Sequence, residues 1–171
     1  MKKEIKLYNA FFPVWLIMLS PKILLIVLPA NFAIDFFVIF LSSKYLKLSD
    51  SSKIAKENVI KTWIFGFIAD IVGAIILLHS PIIVNAFGYS SWWMKNIANA
   101  IFGNPFSSIY SFIFACACVI ISGFLIYVLN YHCNFKYNDL TEKQKKAICL
   151  ALAVFTAPVL FFLPPSLLYG W

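Results

Sequence analysis

Residues 53–78 read KIAKENVIKTWIFGFIADIVGAIILL, and the fold follows from the two halves of this stretch. Lys53, Lys56 and Lys61 interrupt the first half, which makes an amphipathic lead-in. From Thr62 to Leu78 the chain is apolar except for Asp70. A helix rises ~1.5 Å per residue, so about 20 apolar residues cross a hydrocarbon core of about 30 Å. An apolar run introduced by lysines therefore predicts a membrane helix with its basic end in the cytoplasm.

Working outward, comparable runs occupy residues 7–28, 32–46, 109–131 and 142–163. With 53–78 they give five predicted helices. The composition agrees, with 62% hydrophobic and only 12% charged residues. Soluble domains average about 45–50% and about 25%. A mean hydropathy of +0.86 leaves too little polar surface to solvate a globule. It also excludes disorder, which needs low hydrophobicity. The predicted fold class is all-α: a polytopic transmembrane helical bundle forming a single integral membrane domain over residues 1–171, with five membrane helices.

Orientation is read from the basic residues. All fourteen are lysine. Twelve cluster at the N-terminus (Lys2–Lys6), around the connection of the second run to the third (Lys44–Lys61) and around that of the fourth to the fifth (Lys136–Lys146); only Lys22 and Lys95 lie elsewhere. The positive-inside rule then sets the N-terminus inside and the C-terminus outside. Lysines gathered between apolar runs, with no arginine fork for phosphate, argue against nucleic acid as a partner. Lysine in place of arginine, with abundant Ile, Phe and Asn, suggests an AT-rich, bacterial genome. The expected location is the bacterial cytoplasmic membrane, multi-pass, with the lipid bilayer as first partner.

The first run follows Met1-Lys2-Lys3 like a signal peptide, but Ser20-Pro21-Lys22 stands where a small-residue cleavage site belongs. It is read as a retained helix, kinked by Pro13 and Pro21. Pro29-Ala30-Asn31 reads as a tight turn joining it to the second. Ser49-Asp50-Ser51-Ser52 offers N-caps for the third helix. Thr141 with Gln144 fits a capping box for the fifth, and Pro164-Pro165 stops it. In the external connection, residues 90–102 predict a short interfacial helix with Trp92 and Trp93 at headgroup depth. That segment is either an aromatic anchor or a lid over an outward-facing cavity.

Ionisable groups inside a span are costly and mark candidate sites. Lys22 and Asp35 flank the Pro29 turn at nearly equal distance. An antiparallel hairpin would join them as a structural ion pair, or as the charged rim of an external pocket. Asp70 lies nine residues past Lys61, about 14 Å into the membrane, with no cation of its own helix in reach. Gly66, Ala69, Gly73 and Ala74 surround it, a small-residue face that lets another helix approach closely. Ser111, Ala115, Cys118 and Ser122 form a matching stripe on the fourth helix, as do Ala153 and Ala157 on the fifth. Asp70 therefore points into the bundle, either as a neutral acid donating a hydrogen bond or as a binding site for a proton or cation. Asp35 is placed at a different depth from Asp70, which separates the two carboxyls.

Asp70, Asn31, Trp92 and Trp93 are the candidate ligand-binding residues. No catalytic residue is assigned, because no HExxH, GxSxG, phosphate loop or dinucleotide fingerprint is present. No metal site or cofactor is expected, and Cys116, Cys118, Cys133 and Cys149 read as packing residues. The preferred function is non-enzymatic and transport-related, with a small solute or ion bound or moved near Asp70. The alternative is a non-catalytic accessory or scaffold subunit of a membrane complex; a lipid-modifying membrane enzyme ranks third. A five-helix chain of this size suits a homo-oligomer or a partner membrane subunit.

Overall fold

A computed structural model of the chain describes residues 21–80, 91–135 and 140–162. Among the described residues every regular element is helical. We number them α1 (Pro21–Tyr45), α2 (Ser51–Leu78), α3 (residues 91–103), α4 (Ile109–Asn134) and α5 (Glu142–Phe155). The helix α3 runs through a π-helical turn at Met94–Ala98, and α4 finishes in another at Asn130–Asn134. Both α2 and α4 are long and apolar enough to cross a membrane. The all-helical class is therefore as expected.

The chain divides into two compact units. One comprises Ile26–Gly73 and Val119–Pro158. Its core is Ile39 of α1, Ala55, Val59 and Ala69 of α2, Ile126 of α4, Phe135, and Ile148, Cys149 and Leu152 of α5. Helix α1 ends where Lys47 takes a left-handed φ of 56°. The amide of Lys47 then donates to Lys44 O at 3.0 Å and that of Leu48 to Ser43 O at 3.1 Å, a pair of bonds that satisfies the last carbonyls and turns the chain into α2. Helix α5 opens on the expected capping box, with Gln144 and Thr141 bonded reciprocally.

The described residues of the other unit are 21–25, 74–80, 91–118 and 159–162. Here Trp93 Nε1 donates to Ser80 O at 2.9 Å, and Trp92 packs edge-on against Tyr110 at 4.6 Å. The side chain of Asn104 accepts from the Phe106 amide and starts a short turn, Pro105–Ser107. The hydroxyl of Ser111 donates to Pro105 O at 2.7 Å, seating α4 on that turn.

Three expectations are corrected. The chain does not turn at Pro29-Ala30-Asn31; α1 continues through Pro29. A proline removes one helical hydrogen bond, and the remaining bonds of this 25-residue helix keep it running. Lys22 and Asp35 consequently lie thirteen positions apart on one helix, about 20 Å of rise, so no hairpin brings them face to face. The fifth helix stops at Phe155 rather than running to 163. Thr156 folds its amide and hydroxyl back onto Leu152 O, and Pro158 disfavours helix at the residue before it. At 14 residues α5 is about 21 Å long, short of a full crossing. Of the first run, residues 7–20 lie outside the described residues, as do Ser90 and Pro164-Pro165.

Candidate functional site

The interior of the first unit is built on small residues. Ala69 has 0% exposure, and Ser122 Oγ of α4 donates to Ala69 O at 3.1 Å, a bond from side chain to helix backbone that requires close approach. Of the α4 stripe, Ser122 belongs to this unit and is 0% exposed, while Ser111, Ala115 and Cys118 are buried in the other. Gly123 lies so near α5 that a Cβ there would meet Ala153 O at 3.0 Å. At the N-terminal side of this contact Trp63 Nε1 donates to Leu28 O at 3.1 Å and its ring meets Phe32 edge-on, fastening α2 to α1 beside Pro29.

Within this frame α1 contributes Asp35, 4% exposed, and α2 contributes Asp70, half-buried. The two carboxyls lie within electrostatic reach of each other. Asp70 Oδ1 is buried with no hydrogen-bond partner among the described residues. The one ion pair among the described residues is Lys145–Glu142 at 3.1 Å, so no lysine neutralises either aspartate there. Also among the described residues, no three His, Cys, Asp or Glu side chains gather as metal ligands. Two carboxyls with an open oxygen suit a proton or a small hard cation, for which oxygen is the natural ligand.

A second polar group stands at the end of the same unit. Thr62 Oγ1 donates to Asn130 Oδ1 at 2.9 Å. Asn134 Nδ2 lies 2.8 Å from Thr62 Oγ1, 3.0 Å from Asn130 Oδ1 and 3.1 Å from Asn58 O. Asn58, Thr62, Asn130 and Asn134 are all buried. The π-helical turn at Asn130–Asn134 aims both amides at α2. Sequence reasoning missed this cluster. Its signal was two polar pairs spaced by four, Asn58 with Thr62 and Asn130 with Asn134, each on one helical face.

Of the predicted site residues, Asp35 and Asp70 belong to the same unit and Asn31 sits half-buried one turn before Asp35 on α1. Trp92 and Trp93 belong to the other unit. The side chain of Lys22 lies outside the described residues. No family model, no curated protein and no solved structure matches this chain significantly.

Proposed function

We propose that the chain is a multi-pass protein of the bacterial cytoplasmic membrane that binds a proton or small cation at Asp35 and Asp70 in the course of moving a small solute or ion. The observation that carries this reading is a pair of acidic side chains inside one helical unit, Asp35 buried on α1 and Asp70 half-buried on α2 with one oxygen left unpartnered among the described residues. Like charges at close range in a medium of low dielectric repel strongly. A cation or proton shared between them removes that repulsion, and its arrival and departure would favour different α1–α2 packings. The long apolar helices α2 and α4 and the clustering of the lysines between apolar runs support the membrane placement.

The test uses the full chain in liposomes and in detergent. Thermal unfolding is measured against H⁺, Li⁺, Na⁺ and K⁺ for the wild type, Asp35→Asn and Asp70→Asn. The expected result is stabilisation of the wild type by one of these ions and its loss in both variants with helicity intact. Equal ion responses in all three proteins would overturn the reading.

A further inference from the structure

An open apolar groove of about 630 Å³ runs between α1 and α5. Val38, Ser42 and Tyr45 line it on one side, and Ala147, Ala151 and Phe155 on the other. The contacts place the C-terminal end of α1 and the N-terminal end of α5 at the same level. A short turn carries α1 into the start of α2, Asn58 of α2 receives Asn134 from the end of α4, and Tyr131 beside it donates to Glu142 at the start of α5.

That shared end is basic. Lys143 and Lys146 precede Ala147 and Leu150 by four residues, so the helix rows that wall the groove begin in exposed lysines. Lys44 is exposed in the last turn of α1, next to Tyr45. Glu142, the acid of this end of α5, is engaged by Tyr131 and Lys145. A slot of hydrocarbon walls opening onto three exposed lysines has the chemistry of an anionic phospholipid, chain in the slot and phosphate at its mouth.

We infer that the α1–α5 groove holds an acyl chain of an anionic phospholipid from the surrounding bilayer, whose phosphate is bound by Lys44, Lys143 and Lys146. This rests on the membrane placement proposed above and is independent of the carboxyl pair. The occupied groove joins the short helix α5 to α1 through lipid, compensating for the length α5 lacks as a full crossing.

Native mass spectrometry of the full chain in mild detergent, titrated with phosphatidylglycerol or with phosphatidylcholine of the same chains, tests it. Preferential retention of phosphatidylglycerol is expected. It should fall roughly fivefold for each charge removed in Lys44→Gln, Lys143→Gln and Lys146→Gln. Ala151→Trp, which fills the slot, should lower retention of both lipids while circular dichroism stays unchanged. Equal retention of the two lipids, or lysine variants that retain phosphatidylglycerol as the wild type does, would overturn the inference. So would an Ala151→Trp protein that changes oligomeric state with lipid retention unaltered, since a second copy would then occupy the groove. Recovery of the chain from cells without detergent would instead refute the membrane placement, a result distinct from indifference to headgroup.

Discussion

The side-chain amide of Asn134 donates to the hydroxyl of Thr62 at 2.8 Å, tying the end of α4 to α2 across 72 positions of sequence. Both residues are at most 2% exposed, so truncating Asn134 leaves Thr62, Asn130 and the Asn58 carbonyl short of a donor. Asn134→Leu should cost about 1–3 kcal/mol, because each buried polar group left unpaired keeps its desolvation penalty. Thr62→Val should cost less, about 1 kcal/mol, since Asn134 keeps two other acceptors. Unfolding of the two single variants and the double variant in detergent checks this. The double variant should be less destabilised than the sum of the singles; simple additivity would show that the cluster is not a unit.

Gly123 and Gly66 make opposite predictions. A methyl at Gly123 meets the backbone carbonyl of Ala153 at 3.0 Å, and backbone cannot swing aside as a side chain can. Gly123→Ala should destabilise by about 1–3 kcal/mol through overpacking of the α4–α5 contact. At Gly66 a Cβ meets nothing within 4 Å. Gly66→Ala should be neutral or stabilise by up to about 1 kcal/mol, from helix propensity alone. Melting temperatures that move in the same direction for both variants would contradict the close α4–α5 packing.

Trp63 spans from α2 to the carbonyl that precedes Pro29. Trp63→Phe keeps a ring against Phe32 and Phe67, whose centroids lie 6.1 and 5.1 Å away, and deletes the N–H donor with a small part of the ring. The expected loss is about 0.5–1.5 kcal/mol, the worth of one hydrogen bond. Trp63→Leu should lose more, because the aromatic edge contacts go as well. Equal melting temperatures for the Phe variant and the wild type would show that the indole N–H does not fasten α1.

Local signals carried most of what could be read in advance. Lysine-flanked apolar runs located α2 and α4, and Thr141 with Gln144 located the start of α5, because both signals lie within one helix. The buried stripe from Ser111 to Ser122 was visible for the same reason. Pro29-Ala30-Asn31 misled, since a local turn signal that costs one helical hydrogen bond is outweighed by the helix on both sides of it. Pro158 acted as a stop where Thr156 offered the last carbonyl an alternative partner. The polar cluster was invisible because its partners stand 68 to 76 positions apart, and only the pairing of α2 with α4 joins them.

Glu142 gives the chain a pH signature outside its apolar interior. The Tyr131 hydroxyl and then the Lys145 ammonium hold its carboxyl below the usual range. A group with a lower value folded than unfolded stabilises the fold above the unfolded value, about 4.3 for Glu, and that contribution disappears as pH falls through the folded value. Wild-type stability should therefore drop in acid below about pH 4.3 partly through Glu142. Glu142→Gln cannot titrate and should lose this component of the slope. Tyr131→Phe removes the larger cause and should flatten the acid limb partway, leaving the contribution of Lys145. Unfolding followed from pH 7 down to pH 3 in a non-ionic detergent resolves the three curves, with about 4.3 as the reference point. Superimposable acid limbs in the wild type and Glu142→Gln would show that the carboxylate makes no better contacts in the folded chain than in the unfolded one.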